Sequence, residues 1–218
     1  MAESTGIVVV GTGEVRRAPS VAVVRVGVTA TRASVRDASS VAAQRAQAVI
    51  DALRSQGVGQ DDITTSRLSL APHYEHDRSG TSRRTGFSMS NVVTATIRDI
   101  ARTGEVIDAA VDAGGDEAVV EGVTFTDADG DARDEATLAA EAQARAAAYA
   151  DARAKAEHLA SLAGVTLGAP TEIPELGRAG QGREVGEMKL MAARDVSTPI
   201  APGQLSTVAT LLVRFAIL

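Results

Sequence analysis

Residues 131–164 contain no proline, and no glycine before Gly164; Ala, Glu, Arg, Gln and Leu fill most of the run. These are the strongest helix formers, so propensity alone predicts one long helix. About 30 residues at ~1.5 Å each make a rod of roughly 45 Å. The acidic residues Asp127, Asp129, Asp131, Asp134 and Glu135 stand at its start, and Arg153, Lys155 and His158 lie towards its end. Both placements suit the helix dipole, and Gly164 supplies the left-handed residue that closes the helix. The apolar positions Leu138, Ala142, Tyr149, Ala152, Ala156, Leu159 and Ala163 predict a narrow stripe built mostly of methyl groups. A sheet or another helix can approach such a stripe closely. Composition agrees: 44% of residues are hydrophobic but only 2% aromatic. The core must therefore be Val, Ala, Leu and Ile, with close backbone approach in place of ring contacts.

Before that run, Ile7 to Val10 reads as a short strand ending at Gly11-Thr12-Gly13-Glu14, a turn or bulge between two strands. A dinucleotide-binding fingerprint is excluded there, because its third glycine would fall at Arg16 and a helix should follow where Pro19 and another strand stand. Residues 21–31 alternate, with Val24, Val26 and Val28 on one face. Ser34 and Asp37 form the start of a helix through Ala38, Ala42, Ala46, Val49 and Leu53, closed by Gly57. Residues 63–72 and 86–98 read as the strands of a long hairpin, joined by a polar, flexible connection over 74–85. Asp99 caps a second helix through Ile107, Ala110 and Val111, and residues 118–125 form a strand. The order strand, helix, strand, strand, helix, strand is the split βαβ order of ferredoxin-like sandwiches.

After Gly164, residues 165–173 predict a strand interrupted by Pro170. Residues 177–186, with four glycines, predict a mobile loop. Residues 187–193 predict a short edge strand carrying Met188, Leu190 and Met191. Pro199, Pro202 and Gly203 make a rigid turn. Residues 205–217 form a last strand with Leu205, Ala209, Leu211, Val213, Phe215 and Ile217 on one face. The expected fold is one α+β domain over residues 1–218. An antiparallel or mixed sheet, ferredoxin-like in its βαββαβ portion, packs against helices that include the long Ala-rich one.

A net charge of −6, with lysine only at positions 155 and 189, argues against a nucleic-acid partner. The absence of cysteine excludes disulfides and thiolate metal sites. No segment approaches the ~20 apolar residues of a membrane helix. The first residues lack a basic region followed by an apolar one, so a cytoplasmic location is expected, with a periplasmic or secreted mature form as the alternative.

The set Gly11-Thr12-Gly13-Glu14-Val15, Ala18-Pro19, Gly57-Val58, Ile63-Thr64-Thr65 and Leu70-Ala71-Pro72-His73-Tyr74 resembles the SIMPL-domain family, which includes the bacterial periplasmic immunogenic proteins. It continues, in the family's order, through Ser90-Asn91-Val92-Val93, Arg98-Asp99, Val123-Thr124-Phe125, Ala154-Lys155-Ala156-Glu157 and Thr198-Pro199-Ile200-Ala201-Pro202-Gly203. The resemblance implies an α+β domain that self-associates, a stress- or envelope-related role, and no established enzymatic activity.

Of the groups able to carry chemistry, His73, His76 and Asp77 are the densest set, and two imidazoles with a carboxylate suit a transition metal. Three residues apart in an extended segment, however, the histidines point to opposite faces. An exposed polar hairpin is therefore the expectation, and metal binding the alternative. Asp127, Asp129 and Asp131 begin like a calcium loop but lack its glycine and its closing glutamate, Ala132 and Leu138 standing there instead. His158 has no nucleophile near it in sequence, and no serine sits in a nucleophile elbow. No cofactor and no catalytic set are expected. The leading reading is a homo-oligomer acting through protein–protein contacts, with Met188, Leu190 and Met191 at its interface. The rivals are a small-molecule or metal-binding module using residues 73–86 or 177–186, and an enzyme whose residues meet only in the fold.

Overall fold

A computed structural model describes residues 6–76, 82–127, 135–176, 180–183 and 198–218. The described chain is α+β, built from antiparallel strands and three α-helices. It divides into two compact units that interleave in sequence, one made of residues 1–19, 129–187 and 203–218, the other of 20–128 and 188–202.

The second of these contains the βαββαβ portion. Strand β2 (Val21–Arg32), helix α1 (Val35–Ser55), strands β3 (Ile63–His76) and β4 (Ser82–Ile97), helix α2 (Thr103–Gly114) and strand β5 (Ala118–Thr126) follow in that order. The sheet runs β3-β4-β2-β5, antiparallel throughout. Val24, Val26 and Val28 are buried against Ala42, Ala46, Val49 and Leu53 of α1 and Val106, Ile107 and Ala110 of α2. Ser34 caps α1 as expected, its Oγ accepting from the Asp37 amide at 3.1 Å. Gly57 takes a φ of 88° just beyond the helix.

Two expectations fail in this unit. Asp99 makes no side-chain cap; a single 3-10 turn, Ile100–Arg102, comes first, and the Thr103 hydroxyl donates back to the Ile100 carbonyl at 2.8 Å. Of the flexible connection expected over 74–85, residues 74–76 and 82–85 are strand, with Tyr74 paired with Arg84, Glu75 with Arg83 and His76 with Ser82, while 77–81 lie outside the described residues. A register shift beside His73 absorbs the extra residue, so the pairing continues towards the tip.

In the other unit, β8 (Leu205–Ile217) is the central strand. It pairs along its whole length with β1 (Gly6–Arg17), from Gly6 opposite Ala216 to Arg17 opposite Leu205. On its other side it pairs with β6 (Leu167–Glu172) and with β7 (Gly180–Arg183). The predicted loop over 177–186 therefore holds a strand at its centre. The predicted strand over 187–193 lies outside the described residues.

Helix α3 (Glu135–Ala163) packs on this sheet by a row that shares Ala152 and Ala156 with the expected stripe but not its leucines. Its buried row is Ala140, Ala144, Ala148, Ala152, Ala156 and Ala160, one alanine every four residues, while Leu138, Leu159 and Leu162 are exposed. The reason lies in β1, where the Gly-x-Gly is neither a turn nor a bulge. A Cβ on Gly11 would stand 2.1 Å from the Ala148 carbonyl oxygen, and one on Gly13 the same distance from that of Ala144. Helix backbone lies directly on strand backbone, so only alanine fits between them. An i, i+4 row is also a natural packing ridge of a helix. Gly164, at φ 69°, follows the last turn, and the Val165 amide closes it on the Ala160 carbonyl at 3.0 Å.

Candidate interaction surface

The longest hairpin of the chain, β3 with β4, projects the sequence that was expected to carry polar ligands. Pairing sets Leu68 beside Asn91 and Leu70 beside Met89, and β2 in turn sets Val28 beside Asn91 and Ala30 beside Met89. Partners in antiparallel register share a face, so Leu68 and Leu70 extend the apolar face of the sheet. Yet they are 62% and 46% exposed. The opposite face is polar: Thr29 bonds Ser90 and Thr31 bonds Ser88 through their hydroxyls, at 3.3 and 3.2 Å. On that face Arg67 forms an ion pair with Glu121 of β5, while Val92, its partner in register, is buried.

Among the described residues β3 pairs only with β4, so its outer edge carries alternate backbone N–H and C=O groups without a strand neighbour. The far edge of the same sheet, β5, shifts register opposite Arg25 and Val26, with Gly122 at φ 156°; β3 shifts register between Thr65 and Arg67 and again beside His73, so Leu68 and Leu70 lie on the regular stretch between its two shifts.

His73 and His76 lie three apart on β3, which puts them on opposite faces. Asp77 lies outside the described residues, as do Met188, Leu190 and Met191. Among the described residues no three of His, Cys, Asp and Glu gather as a ligand set for a metal. His158 is exposed on α3. Two shallow depressions stand out among the described residues. One, of about 200 Å³, lies beside Gln56, Arg98 and Arg102; the other, of about 410 Å³, lies beside Tyr149, Leu167 and Phe215. Neither is lined by His73, Glu75 or Arg83. In the first, Asp62 accepts from Arg98 through both carboxylate oxygens, and Gln56 accepts twice from Arg102.

Residues 7–215 match the family described as "SIMPL: Protein of unknown function (DUF541)". The chain belongs to the SIMPL family. It is similar to the 26 kDa periplasmic immunogenic proteins of Brucella melitensis and Brucella abortus, 29% identical to each over 210 residues, covering 91% of this chain and 79% of the relative. It also resembles the uncharacterized protein YggE of Edwardsiella ictaluri, 29% identical over 111 residues, 51% of this chain and 46% of that protein. The Brucella names place those SIMPL proteins in the periplasm, the alternative location considered above; they lend the cytoplasmic expectation no support. No described helix is long and apolar enough to cross a membrane.

The feature that sequence reading passed over is the outer half of β3. Leu68 and Leu70 share one face of β3, and that alternation is visible in the sequence. Nothing in the alternation says whether a helix lies above them.

Proposed function

We propose that this SIMPL domain is non-enzymatic, works in the periplasm, and acts by associating with further copies of itself. The observation that supports this most directly is the free edge of β3, where Leu68 and Leu70 face solvent beside backbone groups without a strand partner. A second β3 related by a twofold axis would satisfy those groups and bury the four leucines together, and closed twofold pairing is the common outcome for soluble homo-oligomers. Sedimentation velocity at micromolar concentration tests it. More than one subunit per particle is expected, and Leu70→Lys should shift the protein to smaller species while circular dichroism stays the same. A single monomeric species, unchanged on tenfold concentration, overturns the reading.

A further inference from the structure

β1 is also an edge strand, paired only with β8 among the described residues. Its outward backbone groups can be identified. The Thr12 amide donates to Asp151 Oδ2 at 2.9 Å, and the Val10 carbonyl accepts from Lys155 Nζ at 3.0 Å. Both partners are side chains of α3, so the groups of residues 10 and 12 do not point at β8. In an antiparallel pair the N–H and C=O of one residue point the same way and alternate along the strand. Residues 8, 10 and 12 therefore turn their backbone groups to the outer edge of β1, and the odd-numbered residues beside them bond β8.

Asp151 and Lys155 also bond each other, Nζ to Oδ2 at 2.6 Å, one helical turn apart. Together they take one carbonyl and, two residues on, one amide. That is the pair of groups a single residue of a parallel neighbouring strand would engage. The reach is possible only because Gly11 and Gly13 let the helix backbone settle on β1. The place matters too: Val8 and Val10, at 42% and 43% exposed, would make this edge an apolar template for another strand.

We propose that Asp151 and Lys155 are an edge lock, two α3 side chains that occupy the middle of the free edge of β1 and keep a second copy's β1 from pairing there. With both side chains in place, an incoming strand meets an ion pair where it needs a donor and an acceptor. Its approach would break three charge-assisted hydrogen bonds. The lock acts on β1 alone and holds whether or not β3 associates.

The test uses the full chain, which has no cysteine of its own. Val8→Cys, on the same edge and well exposed, is combined with Asp151→Ala/Lys155→Ala and, separately, with the conservative Asp151→Asn/Lys155→Arg. A short bifunctional thiol reagent then reports whether two β1 edges meet, and amide exchange reports the lock itself. In the double alanine variant the Thr12 amide should exchange at least tenfold faster, with Gly11 and Gly13 unchanged, and cross-linked dimer should appear. The conservative pair keeps an acceptor and a donor without the carboxylate charge, and should give no cross-linked dimer and a smaller rise in Thr12 exchange than the double alanine variant. If the double alanine variant does not fold, Asp151→Ala alone is read the same way, since it frees the Thr12 amide. A folded variant with no cross-linked dimer, or with Thr12 exchange unchanged, overturns the proposal and leaves the pair as surface charge.

Discussion

β1 and β3 are both long edge strands of antiparallel sheets, and both carry apolar side chains that solvent reaches. They differ in what stands beside the backbone. At β1 two alanine-spaced turns of α3 lie on Gly11 and Gly13, and from there Asp151 and Lys155 reach the outward amide and carbonyl. At β3 the face carrying Leu68 and Leu70 continues without such cover, and the described residues place no strand on its edge. An edge is therefore not open or closed by its own sequence. What closes β1 is a helix more than 130 residues further along the chain, at the distance two glycines permit.

The largest effect should come from removing that permission. Gly11→Ala puts a methyl group where the Ala148 carbonyl already stands, and α3 must lift or β1 must bend. Overpacking of this kind costs about 3 kcal/mol. Urea unfolding should show the loss, and Thr12 should lose its exchange protection with it. Leu68→Ala on β3, exposed within one subunit, should change stability by no more than ~0.5 kcal/mol when measured at concentrations dilute enough to hold the monomer. Equal effects at the two sites would remove the distinction between the strands.

Much of this architecture was legible in the residues. The period of α1, its Ser34 cap, the alternation of β2 and β8 and the order of the βαββαβ portion all follow from local rules, because on α1, β2 and β8 the apolar residues of the periodic face are buried or half-buried. α3 defeats that rule. Leu138 and Leu159, read as part of its buried stripe, are exposed, since the space against Gly11 and Gly13 admits only methyl groups. The same contact explains why Gly-x-Gly was mistaken for a turn: two glycines mark either a bend or a close approach, and the helix that tells them apart is distant in sequence. Asp151 and Lys155 read as an ordinary i, i+4 pair. Their use of β1 backbone leaves no local trace.

Association should respond next. Leu68→Lys with Leu70→Lys should reduce the sedimenting mass, whereas Val8→Lys with Val10→Lys should leave it unchanged, because the edge of β1 is already occupied. The reverse pattern would move the interface to β1.

Acid should act on the locked edge. The Lys155 ammonium, followed by the Thr12 amide, holds the Asp151 carboxyl below its usual range. Arg16 and then Ser206 do the same for Glu14 on the same strand. A depressed carboxylate contributes stability that is complete above its unfolded pKa of about 4, and that stability is lost as the pH falls through the lower folded value. Protection of Thr12, corrected for intrinsic exchange, should thus hold down to about pH 4 and fall below it, ahead of that of Gly13. Thr12 protection that stays constant through this window would show that the carboxylate charge is not what holds the amide.

The smallest effect is expected at the tip of the open arm. His73→Ala with His76→Ala should leave the melting temperature and metal content of the purified protein unchanged, since the two rings lie on opposite faces of β3. A stoichiometric metal lost on that change would turn the arm from an association edge into a binding site.

Residue-resolved amide exchange at two protein concentrations tests the contrast between the edges most directly. The account predicts that Thr12 is protected equally at both concentrations, and that alternate amides between Arg67 and His73 gain protection as concentration rises. Free exchange at Thr12, together with β3 amides indifferent to concentration, would contradict it.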